Sequence, residues 1–295
     1  MKRILVISAF IFTISGHAMA QEASSMAMPF LSIDRNAATA ALGGARVTSA
    51  LYNPAAIPFS GSDTQLSYQL WAPQSAKANH INLLSAFRTG EKFGFSVKLA
   101  YQMATPYNII DKNGKSGAAF TPADLIIGAG VGFAFNRFLS LGLQVCYTDQ
   151  KLGENINASA IAADLFLLYK TGGLKASAGV SRLGTPVKSG NYSYSLPASA
   201  KAGASYGFPF GLSLSADFDY YFTGGMGLSG GVQYAFKDMV FVRGGYHFES
   251  GNSPLPSYAS VGLGIKISGI HLDVAYLTAS QTLGNTLTVG LGYAF

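Results

Sequence analysis

The chain has 295 residues, 49% of them hydrophobic and only 12% charged, with a formal net charge of +6. That charge is too dilute and too scattered for a nucleic-acid binder, and a single cysteine, Cys146, rules out a fold stapled by internal disulfides. Beyond residue 20 no apolar run reaches the roughly 20 residues of a membrane-spanning helix, which leaves a large closed β core or a β-barrel with its outer face in lipid; the 35 Gly, 16 Tyr and 20 Phe favour the barrel.

Residues 1–20 read as a cleaved secretory signal peptide. Lys2 and Arg3 precede an apolar run from Ile4 to Ser15, and Ala18-Met19-Ala20 follows. Residues 21–61 form a separate, turn-rich unit containing "ALGGARVTSALYNPAAIPFSG". Gly43 and Gly44 supply a hinge there, and Pro54 and Pro58 keep the chain from continuing as helix or ladder. This unit is expected to plug the periplasmic mouth of a barrel formed by residues 62–295.

Alternation with period two predicts about fourteen strands, near 62–71, 79–88, 92–102, 124–136, 138–149, 158–170, 173–182, 197–207, 210–222, 227–236, 239–248, 257–267, 270–279 and 285–295. The last strand sets the pattern: Leu287, Val289, Leu291 and Tyr293 alternate with Thr286, Thr288, Gly290 and Gly292. Short connections, among them "TGE", "TGG", "FPF", "KD" and "SG", alternate with longer ones such as "ATPYNIIDKNGKSGAAFTPA" and "ESGNSPLP". Outer-membrane barrels alternate periplasmic turns and external loops in this way.

Lys98, Asp164, Lys175, Lys201, Asp217, Asp219, Arg243, Lys266 and Asp273 each fall opposite the aliphatic stripe of their strand. All are expected to face the lumen, because Lys or Arg on the lipid face at mid-plane costs about 2–4 kcal/mol. They would serve there as paired ions in a packed interior or as a polar path for solute. Tyr293 and Phe295 end an amphipathic strand on aromatic residues, resembling the terminal signal by which the barrel assembly machinery recognises its substrates.

"GAGVG" at 128–132 lies inside a strand without a following helix or acidic partner, so it reads as lumen-facing glycine rather than a nucleotide loop. His247, His271, Asp273 and several serines lack the spacing of a hydrolase site, and the four scattered histidines suggest no metal centre. No enzyme activity and no cofactor are expected.

Gly43, Gly44 and Ala45, followed by Leu51, Tyr52, Asn53, Pro54 and Ala55, resemble the N-terminal signature of the FadL-like fatty-acid-transporter barrels, most closely their PorV/PorQ branch. The resemblance implies an all-β, transmembrane, antiparallel up-and-down barrel of about 14 strands with an N-terminal plug, in the outer membrane of a Gram-negative bacterium of the Bacteroidota. For the PorV/PorQ branch it implies an accessory of type IX protein secretion and surface attachment. Its partners would be outer-membrane lipid, the secretion translocon and surface-attachment proteins. The alternative is a FadL-like transporter or channel for hydrophobic or small solutes. A transporter predicts a continuous cavity and a lateral wall gap at a strand kink, whereas an accessory barrel predicts a sealed lumen and an apolar external rim.

Overall fold

The computed structural model describes residues 26–73, 77–110, 116–153, 156–189, 192–278, 280 and 285–295, so the expected signal peptide lies outside the described residues. Fourteen strands close into one barrel: β1 (Asp63–Trp71), β2 (Ala78–Thr89), β3 (Phe93–Met103), β4 (Ala123–Ala134), β5 (Leu139–Gly153), β6 (Ile156–Thr171), β7 (Leu174–Gly184), β8 (Ser199–Gly207), β9 (Leu212–Tyr221), β10 (Gly225–Phe236), β11 (Val240–Gly251), β12 (Tyr258–Ile267), β13 (Ile270–Thr278) and β14 (Thr286–Ala294). Each pairs antiparallel with its neighbour in the chain, and β1 closes on β14 from Asp63 opposite Ala294 to Leu70 opposite Leu287. Among the described residues closure leaves the barrel without an open edge strand, whose unpaired backbone groups a lipid environment would penalise by several kcal/mol each.

The alternation in the sequence becomes two faces. On β14, Leu287, Val289, Leu291 and Tyr293 are exposed outward, while Thr286 and Thr288 are fully buried. The long "ATPYNIIDKNGKSGAAFTPA" connection differs from a plain loop, because Tyr107–Ile110 pairs with Ser116–Phe120 as a hairpin. β5 and β6 also run past their expected ends into the following and preceding connection. At the short-turn end, Phe133 packs tilted against Phe93 and edge to face with Phe135, and Tyr206 packs edge to face with Phe208. Aromatic rings collect at such levels because their bodies are apolar and a membrane–water boundary accommodates them.

Candidate functional site

The segment before β1 occupies the interior of the barrel. Its contacts run the height of the lumen and are not confined to one mouth. At the long-loop end, the Ala27 amide donates to the Ser195 carbonyl at 3.0 Å, and Met28, Phe30, Leu31 and Ile33 join a buried cluster with Trp71, Ala78 and Tyr258. The one-turn helix Ala37–Ala40 follows, with the Asn36 side chain accepting from the Thr39 amide as its N-cap. Asn36 Nδ2 also donates to Gln65 Oε1, and Gln69 Nε2 donates to the Asp34 carbonyl at 2.8 Å.

Gly43 (φ 68) and Gly44 (φ 79) make the turn that ends this helix. The Gly43 amide donates to Ser260 Oγ at 2.9 Å. A Cβ on Gly43 would strike the backbone of Tyr246, and one on Gly231 or Gly245 would strike Leu42 or Gly43 itself. Gly231 and Gly245 are opposite partners on β10 and β11, so the wall is hollowed where the turn presses on it.

Beyond Ala45, the backbone amides of Arg46 and Val47 both donate to Asp217 Oδ2, at 2.5 and 2.8 Å. Tyr52 donates its hydroxyl to Asp34 Oδ1, and the Arg46 guanidinium lies 5.0 Å from the Tyr52 ring centre. Burial and the neighbouring Asp34 carboxylate push the Tyr52 phenol above its usual range, so it stays a donor. Asn53 is buried and fully employed: Nδ2 donates to the Val47 carbonyl (2.7 Å) and Ser177 Oγ (2.9 Å), and Oδ1 accepts from the Ala55 amide (2.9 Å).

That last bond caps a 3-10 helix, Pro54–Phe59, which the sequence reading did not foresee. Pro54 takes the first helical position, where its missing N–H costs nothing, and a short 3-10 turn also holds Pro58. The helix rests on a shelf of three glycines in register, Gly94, Gly132 and Gly142 on β3, β4 and β5. A Cβ at these positions would collide with Ile57, the Pro54 carbonyl and the Ala55 amide respectively. Ser140 Oγ adds a bond to the Ala55 carbonyl at 2.5 Å.

The charged residues divide between the segment and the wall. Lys201 pairs with Asp219 at 2.5 Å, and Arg243 pairs with Asp273 at 2.6 Å. Asp217 holds the segment, as described. Lys98 Nζ lies 5.9 Å from the Tyr52 ring centre, and Lys175 Nζ donates to Ser60 Oγ at 3.5 Å. Lys266 lines an open hollow of about 380 Å³ at the short-turn mouth, together with Asp63, Arg243, His271 and Asp273. There His271 sits between Asp63 (2.9 Å) and Asp273 (3.0 Å).

Asp164 marks a break in the ladder. On β6 and β7, Ala163 faces Leu183 but Leu165 faces Val180, so Asp164 opposes both Ser181 and Arg182. Asp164 Oδ1 accepts from Ser181 Oγ (2.9 Å) and from the Arg182 amide (2.6 Å), and Arg182 adopts φ 58, a left-handed conformation unusual for a non-glycine residue. The Arg182 guanidinium turns inward to Ser32 Oγ at 2.9 Å, joining the bulge to the segment.

A cavity of about 60 Å³ lies beside this bulge, lined in part by Arg46, Lys98, Thr148, Asp164, Arg182 and Lys201. On the lipid side of β7, β8 and β9, a trough of about 540 Å³ runs over Ala176, Ala178, Ala202, Ala204 and Ala216.

A Ser–His–Glu row also occurs: His247 Nδ1 meets Ser229 Oγ at 2.8 Å and its Nε2 meets Glu249 Oε1 at 2.8 Å. The space beside it is only about 10 Å³, less than one water, and Tyr258 stacks on the imidazole. It offers no room for a scissile bond. Asp34 and Arg182 escaped the sequence reading. Asp34 carries no strand period, and Arg182 stands at the last residue of its expected strand.

No family model matches the chain, and no curated protein matches it. Among solved structures it is similar to the toluene transporter TbuX of Ralstonia pickettii, at 14% identity over 90% of this chain and 99% of that one, with a TM-score of 0.66. The toluene transporter TodX of P. putida aligns at 14% identity over 87% and 97%, TM-score 0.61. A FadL homologue of Pseudomonas aeruginosa aligns at 14% identity over 88% and 95%, TM-score 0.55. This chain therefore has the fourteen-stranded barrel fold seen in the FadL-like proteins.

Proposed function

We propose that this barrel is an outer-membrane transporter of the FadL-like type, passing small or hydrophobic solutes. The observation that carries the reading is the bulge at Asp164, Ser181 and Arg182, with a cavity on its lumen side and an apolar trough on the lipid face of β7. This bulge interrupts pairing in the body of the wall, whereas the other register shift, between Lys151 and Gly153, lies at the end of β5; a lateral exit costs least where the ladder is already broken. The neighbours named as toluene transporters support the same reading. The secretion-accessory role implied by the PorV/PorQ resemblance gains no support from those comparisons.

The cavity at about 60 Å³ is smaller than the roughly 150 Å³ site known to accept benzene, so passage requires the segment or the bulge to move. In cells lacking the gene, uptake of radiolabelled toluene and of a panel of small solutes is expected to fall several-fold for at least one compound, with surface proteins unchanged. Unchanged uptake together with a depleted set of surface proteins would overturn the reading in favour of secretion.

A further inference from the structure

We propose that the lumen cavity beside the bulge binds a compact anion, an inorganic ion or the carboxylate of a short organic acid, through Lys98, Arg182 and Thr148. Four cations line this cavity, Arg46, Lys98, Arg182 and Lys201, against the single carboxylate of Asp164. Two of them are compensated from behind, Lys201 by Asp219 and Arg46 beside Asp34 at 3.9 Å. Asp164, held by the neutral Ser181 hydroxyl and Arg182 amide, supplies one negative charge for the remaining two cations, Lys98 and Arg182, which leaves one positive charge in excess.

Among the described residues, neither Lys98 nor Arg182 forms an ion pair with a carboxylate. Arg182 Nη1 bonds to Ser32 Oγ and the Pro197 carbonyl, both neutral, and Lys98 faces the Tyr52 ring. The third observation is independent of charge: Thr148, 1% exposed, lines the same cavity with a hydroxyl that has no hydrogen-bond partner. Buried ions are normally paired and buried hydroxyls normally bonded. One anion would accept from the ammonium, the guanidinium and the hydroxyl together.

Size sets the class. A cavity of about 60 Å³ has the share of roughly two waters, enough for a halide, nitrate or formate and too little for an aromatic ring. One side of the short-turn mouth favours the same sign of charge, since Arg88, Lys92, Arg137 and Lys170 line an open cleft of about 340 Å³ there with Glu91 as its one acid. The site goes beyond solute passage and does not depend on it, because binding is read on the purified barrel without flux.

The test is anomalous diffraction from crystals of the full mature chain equilibrated with sodium bromide. A bromide peak within hydrogen-bond reach of Lys98 and Thr148 is expected, absent in Lys98→Met and weakened at least tenfold in apparent affinity by Thr148→Val, which keeps the side-chain volume. Competition then distinguishes the sources: displacement by formate assigns the site to carboxylates, and displacement by nitrate alone to inorganic ions. No peak in the cavity, bromide at surface lysines only, or a peak that survives both substitutions would overturn the proposal.

Discussion

Replacing Gly132 and Gly142 together with valine expels the 3-10 helix Pro54–Phe59 from the wall while the wall itself still forms. The two glycines are direct partners across β4 and β5, and a side chain on either meets backbone, the Pro54 carbonyl or the Ala55 amide, which has no rotamer to yield. Overpacking of this kind costs about 1–3 kcal/mol per site. Valine is also a favoured strand residue, so the penalty falls on the seating of the helix rather than on the ladder. Ala55 is 0% exposed, so Ala55→Cys in a Cys146→Ala background places a thiol at a shielded position. Adding the two valines is expected to raise its rate of thiol labelling at least tenfold, with the unfolding midpoint of the barrel little changed. An unaltered labelling rate would mean that the glycine shelf does not seat the helix.

Lys201→Met is expected to be among the most destabilising single changes in the barrel. Lys201 and Asp219 form a 2.5 Å pair with side chains only 6% and 14% exposed, deep between the segment and the wall. Removing the cation leaves Asp219 buried near Asp217 without its direct ion-pair partner, a loss typically of about 3–5 kcal/mol. The apolar double variant Lys201→Met/Asp219→Leu removes the stranded charge and is expected to recover most of that stability. Urea titrations of the barrel refolded in lipid vesicles measure both. If the double variant is no better than the single one, the pair is not the source of the loss.

These two sites differ in how visible they were in the sequence. The strand that carries Lys201 was placed to within two residues at its start, because alternation reports directly which residues a wall turns to lipid. Period two also put Lys201 and Asp219 on one face, yet only the register of β8 with β9, Lys201 opposite Asp219, makes them a pair. The glycine shelf was legible as inward-facing small residues without any sign of what filled the space. Its meaning depends on Gly94, Gly132 and Gly142 coming level across three strands, a long-range fact that no local pattern encodes.

The segment itself shows a sharper limit. Gly43 and Gly44 announced a turn, and the structure has one. The prolines argued against any continuing helix, but a 3-10 turn needs few amide donors and accepts both, so Pro54–Phe59 is helical. The bulge left no trace at all. Nothing about Asp164, Ser181 or Arg182 in sequence says that one residue will face two, because bulges are settled by the partner strand and by what lies beneath them, here Ser32 of the segment.

The proposed transport requires the lumen segment or the bulge beside it to move, and of the two the segment is the one that fills the lumen, so its displacement is the step to test. Asn53 Nδ2 and Ser177 Oγ stand 2.9 Å apart across the junction of segment and wall, and Asn53→Cys with Ser177→Cys, in the Cys146→Ala background, ties the two together. The most direct measurement is solute uptake by cells carrying this variant, oxidised and then reduced, using the compounds whose uptake depends on the gene. The account predicts at least a tenfold drop on oxidation and full recovery on reduction. Equal uptake in the oxidised and reduced states, with the cross-link verified, would contradict it.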